Sequence, residues 1–272
     1  MTACPPVAEP RLIGHWKHGT IPVIGLIGGV GSGKSRVAQL LEQRGAVIID
    51  ADAVGHELLG DPGIRGRILE RFGPGVLAAP GPEDGRRGEP PLDRRALGAV
   101  VFADPAARAA LEAIVHPPMR AGFHRAIACA VDEGRAGVIV LDAAILLEAG
   151  WDDLCDRIVF VASPRAERRS RVAAARGWSA EAFAARERAQ WPEDRKRRRA
   201  HWVLTNDAGA DRLDEEVDRL VSWLRDGAPP RDATAAAPAP APLGHPAGAS
   251  TEARSVTDRT PPGPPATAGR TS

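Results

Sequence analysis

The sequence has few cysteines and no long hydrophobic stretch. Its three cysteines, Cys4, Cys129 and Cys155, are odd in number and lack the spacing of a metal site, so we expect free thiols in a reducing compartment. No apolar run approaches the roughly 20 residues that cross a bilayer. The prolines near the amino terminus stand where a signal peptide would have its apolar segment. These absences predict a soluble, cytoplasmic protein.

The sequence also has almost no net charge. Its 36 Lys and Arg residues nearly balance 35 Asp and Glu residues, for a formal charge of +1 at pH 7. Any nucleic-acid binding would therefore have to be local. The apolar fraction of 43% is ample for a core, and no internal repeat is evident. A chain of 272 residues accommodates one α/β domain of about 200 residues with insertions, or two small domains.

The stretch from Val23 to Arg36 organises the rest of the chain. It reads VIGLIGGVGSGKSR and begins with a short apolar run typical of a buried parallel strand. It continues as the phosphate-loop motif G-x-x-x-x-G-K-S, from Gly28 to Ser35. Apolar residues then recur at helical spacing. Because a strand precedes the motif and a helix follows it, we predict a site for a nucleoside triphosphate with Mg²⁺.

Each residue type in this motif has a physical reason. The main-chain N–H groups must approach anionic oxygens closely, and side chains at the glycine positions would obstruct them. The helix that follows adds the attraction of its N-terminus for phosphate. Lys34 supplies a mobile cation for the β- and γ-phosphates, and the Ser35 hydroxyl is a Mg²⁺ ligand. The motif alone does not identify the reaction.

Four further apolar runs predict strands that join the first one. They lie at 47–49, 138–141, 158–161 and 202–204, with helical patterns between them. The predicted fold class is therefore α/β, with a five-stranded parallel sheet of the phosphate-loop NTPase type flanked by helices. In such sheets, ligands bind beyond the carboxyl ends of the strands.

Aspartates follow two of these strands at the edge where the loop is expected. Asp50 and Asp52 follow the second strand, and alternate residues of an extended chain point in similar directions. One of them could act as a base for an acceptor hydroxyl, or either could cap the next helix. Asp142 ends the third strand, where a Mg²⁺-associated carboxylate is expected, with a turn aspartate as the alternative.

Residues 61–135 are predicted to be mainly helical. This block is longer than a plain crossover between two strands requires, so we interpret it as an inserted subdomain that holds the acceptor. Asp104 and Pro105 give the cap-and-proline start of one helix, and His116-Pro117-Pro118 is predicted to begin another. A Gly/Pro-rich surface loop is expected from Pro80 to Pro91.

The most basic part of the chain, at 163–200, predicts a mobile lid. Ser163-Pro164 marks a helix start by the same rule, Gly177 ends that helix, and Ser179 caps the next. Two short, capped helices beyond a strand end suit a lid over a triphosphate. The first of them carries Arg165, Arg168, Arg169, Arg171 and Arg176.

The two ends of the chain are predicted to lie outside a domain at 21–226. Residues 1–20 carry three prolines and no periodicity, so we expect a disordered or loosely attached extension with solvated histidines. Residues 227–272 are rich in Ala, Pro and Thr and have too little apolar surface to offset the entropy of ordering. They predict a disordered tail.

Several separated motifs, taken in order, resemble the dephospho-CoA kinase family. The resemblance covers about residues 22–225, and the ordered set is far more specific than the phosphate loop alone. The matching motifs are GLIGGVGSGKS at 25–35; Ile49-Asp50-Ala51-Asp52; Asp93-Arg94-Arg95-Ala96-Leu97 with Val101-Phe102; His116-Pro117; Asp142 with Leu146, Leu147 and Glu148; Gln190 with Pro192 and Lys196; and Asn206.

The resemblance implies an enzyme that phosphorylates the ribose 3′-hydroxyl of dephospho-CoA with ATP and Mg²⁺, the last step of coenzyme A synthesis. Asp52 matches the family's base, and Arg94 and His116 are motif positions on the acceptor side. Lys34 and a lid arginine, Arg171 or Arg176, would neutralise the migrating phosphoryl group. Ser35 and Asp142 would hold the metal. The implied nucleotide-binding residues are Gly28, Gly29, Val30, Gly31, Ser32, Gly33, Lys34, Ser35, Arg36 and, on the adenine side, Asn206.

The sequence departs from the family pattern at a few positions. Ala144 stands where a proline is usual, Arg36 where a threonine is usual, and His201 where an aspartate is frequent. The spacing of the lid arginines leaves the choice between the two candidates open. Three alternative functions are another small-metabolite kinase such as a nucleoside monophosphate kinase, a slow nucleotide-dependent switch, and nucleic-acid binding through the basic run Arg195 to Arg199.

Overall fold

The structure is a computed structural model that describes residues 16–19, 21–78, 90–134, 136–207 and 210–226. The expectations about residues 1–15 and 20, most of the Gly/Pro-rich loop, and the tail from 227 onward lie outside this part of the chain. The described strands are β1 (Val23–Gly28), β2 (Ala46–Asp50), β3 (Val138–Asp142), β4 (Arg157–Ala162) and β5 (Trp202–Thr205).

These strands form one parallel sheet with the order β2-β3-β1-β4-β5. The central strands β1 and β3 are buried along their whole length. Strands covered on both faces are unbroken apolar runs in sequence, which is why these two could be located from their composition. The predicted fold class is confirmed.

Helices account for most of the remaining described residues. None of these helices is both long and apolar enough to cross a bilayer. Two short 3-10 turns lie at Pro74–Val76 and Trp151–Leu154. The described α-helices are α1 (Lys34–Glu42), α2 (Ala51–Leu58), α3 (Pro62–Phe72), α4 (Arg94–Ala103), α5 (Pro105–Glu133), α6 (Arg165–Arg176), α7 (Ala180–Arg188), α8 (Glu193–Arg199) and α9 (Ala210–Arg225).

Alternate side chains of the strands pack into two apolar layers, one on each face of the sheet. Ile24 and Leu26 of β1 belong to the layer formed with α1 and α9. Val23 and Ile27 of the same strand belong to the layer formed with α5. This alternation is the two-residue period of a strand. The sheet therefore separates the helix that follows the loop from the long helix of the insertion.

The insertion has an apolar core of its own. Helices α3 and α4 pack with the first half of α5 around five buried residues. A separate hydrophobic core of this kind is expected of an inserted subdomain. Its members are Ile64, Ile68, Val76, Leu97 and Ile114.

The prediction that Pro117 and Pro118 begin a new helix is wrong. Both lie inside α5, which is 29 residues long in total. A proline inside a helix removes a main-chain hydrogen bond and usually bends or ends the helix. Here the two flanks of the helix are anchored in different cores, with Ile114 in the insertion and Phe123 against the sheet. This burial on both sides of the prolines holds α5 together.

Residues 16–19 form a turn attached to the segment before β4, which differs from the loose extension expected there. The main-chain N–H of Lys17 donates to Asp156 Oδ1 at 2.8 Å. The Lys17 ammonium donates to the carbonyls of Asp153 at 3.0 Å and Cys155 at 2.6 Å. Asp156 also accepts from the N–H of Val23 at the start of β1, so the turn is tied to the sheet.

Candidate active site

The loop between β1 and α1 has the tight backbone that the motif predicts. Gly33 has a φ of +87°, in the left-handed region that favours glycine. A Cβ atom at Gly33 would also lie 2.2 Å from Asn206 Nδ2. Ser32 is 1% exposed, and within the described residues its hydroxyl has no hydrogen-bond partner. The loop packs too closely to admit side chains at these positions and holds a buried hydroxyl without a partner in the described part of the chain, so its main-chain N–H groups fit an anionic ligand such as a triphosphate.

Lys34 lies at the mouth of the loop and is paired with a carboxylate. Its ammonium donates to Asp142 Oδ1, at the carboxyl end of β3. Burial raises the pKa of the Asp142 carboxyl; the Lys34 ammonium opposes that rise, and the nearby carboxylates of Asp50 and Asp52 add to it. Lys34 thus contacts Asp142, which is paired in register with Asp50 at the end of β2, and Asp52 follows two residues later at the same edge of the sheet.

Asp50 and Asp52 have different roles, which corrects the expectation that both point the same way from an extended chain. Asp50 is the N-cap of α2, and its Oδ1 accepts from the N–H groups of Asp52 at 2.8 Å and Ala53 at 3.2 Å. Asp52 is already in the first helical turn and is exposed. The change from strand to helix at Asp50 is what separates them, and it leaves Asp52 as the carboxylate that is free of capping bonds.

The donors suited to a metal are Ser35 and Asp142. Ser35 is exposed in the first turn of α1, beside Lys34. Among the described residues, no group of three His, Cys, Asp or Glu side chains could hold a metal by itself. Mg²⁺ usually takes one or two protein oxygens and completes its shell with water and phosphate oxygens. A hydroxyl and a carboxylate beside a phosphate cradle fit that donor set.

The two lid arginines lie in different places. Arg171 Nη1 donates to Ser163 Oγ at 2.9 Å, and its Nη2 donates to the Asn206 carbonyl at 3.2 Å, beside the loop. Arg176 is exposed in the last turn of α6, with its guanidinium 5.1 Å from the centre of the Trp178 ring. The geometry therefore favours Arg171 over Arg176 as the arginine that can reach a nucleotide.

Two predictions near α6 have different outcomes. Ser163 was expected to cap the helix, but the N-cap is Pro164 and no side chain caps it, because the Ser163 hydroxyl faces Arg171 instead. Ser179 does cap α7, and its Oγ accepts from the N–H of Ala182 at 3.2 Å.

Asn206 lies against the loop. It is buried at the end of β5, and its Nδ2 donates to the Ser32 carbonyl at 2.8 Å. Its side chain is thus used to hold the loop from behind. The adenine-side role that the resemblance implies for this segment stays a prediction.

Arg94 and His116 are not brought to the loop by any polar contact within the described part of the chain. Arg94 is the exposed first residue of α4. His116 packs edge-on against the Trp151 ring, with ring centres 5.0 Å apart. This burial lowers the pKa of His116, and Glu112 opposes the effect. Their proposed role in acceptor binding depends on the substrate reaching them.

Helices α4 and α7 meet through a stack of side chains. The Arg186 guanidinium of α7 lies 3.9 Å from the centre of the Trp178 ring. It also lies 5.8 Å from the centre of the Phe102 ring on α4, a residue that is 68% exposed. Such cation-π contacts contribute modestly at exposed sites.

Lys196 was a family motif position without an assigned role. It is buried, and its Nζ donates to the Ala144 carbonyl at 2.9 Å and to Gln190 Oε1 at 3.1 Å, with Glu148 Oε1 at 3.0 Å. Burial lowers the pKa of Lys196, and Glu148 opposes this. Since Ala144 contributes its main-chain carbonyl, the usual proline and the alanine found here can serve Lys196 equally.

Arg168 is buried behind the loop. The sequence alone did not distinguish it from the other four arginines of α6. It is four residues before Val172, the buried apolar position of α6. Residues four apart lie on the same face of a helix, so this spacing was the available signal that Arg168 points inward.

The sheet, the loop and the polar groups at its mouth define a phosphate-loop nucleotide-binding protein. The dephospho-CoA kinase family model matches residues 22–212, which is more than half of the chain. The chain therefore belongs to the dephospho-CoA kinase family, and the family resemblance predicted from the motifs is confirmed.

Individual relatives agree with this assignment. A dephospho-CoA kinase of Symbiobacterium thermophilum is 42% identical over 198 residues, covering 72% of this chain and 78% of the relative. A dephospho-CoA kinase of Chlorobaculum tepidum is 37% identical and covers 74% of this chain and 94% of the relative. The crystal structure of TT1252 from Thermus thermophilus superimposes with a TM-score of 0.63 at 36% identity, covering 74% of this chain and 96% of that one.

Proposed function

We propose that this protein is a dephospho-CoA kinase, which transfers the γ-phosphoryl group of ATP to the ribose 3′-hydroxyl of dephospho-CoA. The products are coenzyme A and ADP. The observation that carries the proposal is that the phosphate loop, the Lys34–Asp142 ion pair and the start of α2 with Asp52 lie at one edge of the sheet, in a member of this family. We also propose that the protein works in the cytoplasm.

The proposed chemistry needs alignment and charge neutralisation more than covalent help. The 3′-oxygen attacks the γ-phosphorus, the bond to the β–γ bridging oxygen breaks, and ADP leaves with that electron pair. Asp52 accepts the hydroxyl proton. Lys34 and Arg171 neutralise charge on the migrating group, which is loosely bonded in the transition state. Ser35 and Asp142 would hold Mg²⁺, which neutralises phosphate charge when bound.

Lys34 is already positioned to neutralise charge on the migrating phosphoryl group. Its ammonium is already fixed at the loop mouth by Asp142, so little side-chain freedom is lost when a phosphate arrives. Asp142 keeps one oxygen outside that ion pair, which supports its proposed use as a metal ligand. The lid over the site would exclude water and so limit hydrolysis of ATP.

The test is an acceptor panel with the purified full-length chain and Mg·ATP. Dephospho-CoA, nucleoside monophosphates, shikimate and no acceptor are compared by ADP release, and mass spectrometry identifies the phosphorylated product. We expect ADP release to depend on dephospho-CoA and coenzyme A to form. Turnover only with a nucleoside monophosphate would reject the proposal. Slow hydrolysis that ignores every acceptor would instead support a nucleotide-dependent switch.

The basic run in α8 is a weak candidate for a nucleic-acid site. The Arg195 guanidinium lies 3.3 Å from the centre of the Trp191 ring, and Arg199 Nη2 is 2.7 Å from Asp152 Oδ2. Lys196 is buried. Three of the five residues are thus engaged within the protein, which weakens any basic surface that a phosphate backbone would need.

A further inference from the structure

Arg168 is an arginine buried inside the protein. It is 2% exposed, although its neighbour Arg169 on α6 is exposed. A guanidinium keeps its charge in proteins, so burying it is costly unless its N–H groups meet acceptors. The acceptors around Arg168 therefore indicate what the residue does.

These acceptors come from four separate segments. Nη1 donates to the Val30 carbonyl of the phosphate loop at 3.0 Å. Nε donates to the Ser163 carbonyl just after β4 at 3.2 Å. Nη2 donates to Glu187 Oε1 of α7 at 3.0 Å and lies 2.7 Å from Glu193 Oε1 of α8. One side chain thus joins the loop to both helices that follow α6.

The contact with Val30 satisfies a main-chain carbonyl on the outer side of the loop. A loop whose N–H groups face an anion turns carbonyl groups the other way, and those carbonyls need donors. Arg168 supplies a donor to Val30, and Asn206 supplies one to Ser32. Two side chains from distant segments therefore hold carbonyls that are two residues apart in the loop.

The same network also packs against the loop glycines. A Cβ atom on Gly29 would lie 1.9 Å from Glu193 Oε1 and 2.9 Å from Arg168 Nη1. A Cβ atom on Gly31 would lie 2.6 Å from the Arg168 carbonyl. A cavity of about 130 Å³ adjoins this contact, between the loop and the start of α8. It is large enough to admit water if the guanidinium is removed.

We propose that Arg168 is a positioning residue for the phosphate loop. Glu187 and Glu193 hold its guanidinium in place, so that α7, α8 and the loop keep one position relative to each other. The inference rests on the proposed use of this loop for ATP. Arg168 acts through the Val30 carbonyl and makes no contact with substrate. Lysine cannot replace it, because a single ammonium on a flexible stem cannot reach acceptors that diverge in this way.

The first test compares Arg168→Met with Arg169→Met, the exposed neighbour on the same helix. Binding of ATP is measured by calorimetry, which needs no acceptor, and kcat and KM for both substrates are measured separately. We expect Arg168→Met to weaken ATP binding by about tenfold or more, with KM for dephospho-CoA within about twofold. Arg169→Met should resemble the parent. Faster amide hydrogen exchange at residues 28–36 should accompany the Arg168 change alone.

Two further variants keep the proposal testable if Arg168→Met does not fold. Arg168→Lys should not restore ATP binding, and Glu187→Gln should weaken it in the same direction by a smaller factor. A folded Arg168 variant that binds ATP as the parent does would overturn the proposal, as would an equal rise in both KM values. If the proposed function is wrong, the parent protein itself shows no turnover with dephospho-CoA. The comparison of ATP binding between the parent and the Arg168 variants still tests the role of Arg168.

Discussion

The proposed nucleotide side and the proposed acceptor side of the candidate site are built in different ways. On the nucleotide side, one continuous segment from Gly28 to Ser35 forms the cradle, and main-chain groups would do much of the binding. On the acceptor side, Asp52, Arg94 and His116 come from three helices, α2, α4 and α5. The first side depends on the shape of a loop, and the second depends on where whole helices are packed.

This difference has a consequence for how each side can fail. A cradle of main-chain groups is damaged by side chains that change its backbone, or by loss of the groups that support it from behind. An acceptor side made of separate side chains is damaged one residue at a time, with the nucleotide affinity left unchanged. Measurements that separate ATP binding from acceptor use therefore distinguish the two sides.

The largest effect is expected on the nucleotide side, from Lys34→Ala. Removing the ammonium at the loop mouth should lower kcat by about 10³-fold, because a fixed cation at the migrating phosphoryl group is lost. The control is Gln39→Ala, an exposed position on the same helix. Circular dichroism should show both variants folded, and steady-state kinetics measure the loss. Unchanged turnover would remove the loop from the mechanism.

The second prediction concerns the acceptor side. Asp52→Asn keeps the shape of the side chain and removes its ability to take a proton, so kcat should fall by about 10²-fold or more. KM for ATP should change by less than about threefold. Glu57→Gln, an exposed carboxylate on the same helix, serves as the control. If Asp52→Asn weakened ATP binding and spared kcat, that carboxylate would belong to the nucleotide side and would not be the base for the acceptor hydroxyl.

The difference between the two sides also explains what could be predicted from the sequence. The loop, the strands and Asp142 follow from local patterns, because a buried parallel strand and a glycine-rich turn are each specified by neighbouring residues. The helix boundary at Asp50 was less visible. An aspartate after a strand can continue it or cap a helix, and the structure shows the cap.

Features that depend on distant partners could not be predicted in the same way. The continuation of α5 through Pro117 and Pro118 requires knowing that the helix is buried on both sides of them. The choice between Arg171 and Arg176 required the position of Asn206 across the site. Local propensity specifies elements, and tertiary packing decides which of several similar side chains reaches a site.

The third prediction tests the backbone of the cradle against a matched glycine elsewhere. Gly45 has a φ of +85° with no atom within 4 Å of a Cβ, so Gly45→Ala carries only the cost of a left-handed alanine, about 1 kcal/mol. That should lower Tm by about 2–4 °C. Gly33→Ala adds the clash with Asn206 and should lower both Tm and ATP affinity further.

Differential scanning calorimetry with and without ATP measures this pair. ATP should raise the Tm of Gly45→Ala as much as that of the parent, because the cradle is intact. The rise should be much smaller for Gly33→Ala. Equal ATP-induced shifts in the two variants would mean that the loop tolerates a side chain at Gly33, against the argument from its geometry.

The smallest effect is expected at His116, on the acceptor side. Burial against Trp151 lowers the pKa of His116, so the folded protein favours the neutral ring. The unfolded chain takes up a proton more readily below about pH 6.5, so this residue's contribution to stability is present above that pH and is lost as the pH falls. His116→Phe keeps the ring packing without a titrating group. It should reduce the fall in Tm between pH 7.5 and 5.5 by about 1–2 °C.

A second readout on the same variant separates packing from acceptor binding. His201, whose pKa is also lowered by burial, still titrates in His116→Phe, so only the difference from the parent is informative. His124→Phe, at an exposed position on the same helix, is the control for introducing a phenylalanine into α5. If His116 also contacts the acceptor, His116→Phe raises KM for dephospho-CoA at pH 7.5 and spares KM for ATP. An unchanged KM would make His116 a packing residue and leave the acceptor side dependent on Asp52 and Arg94.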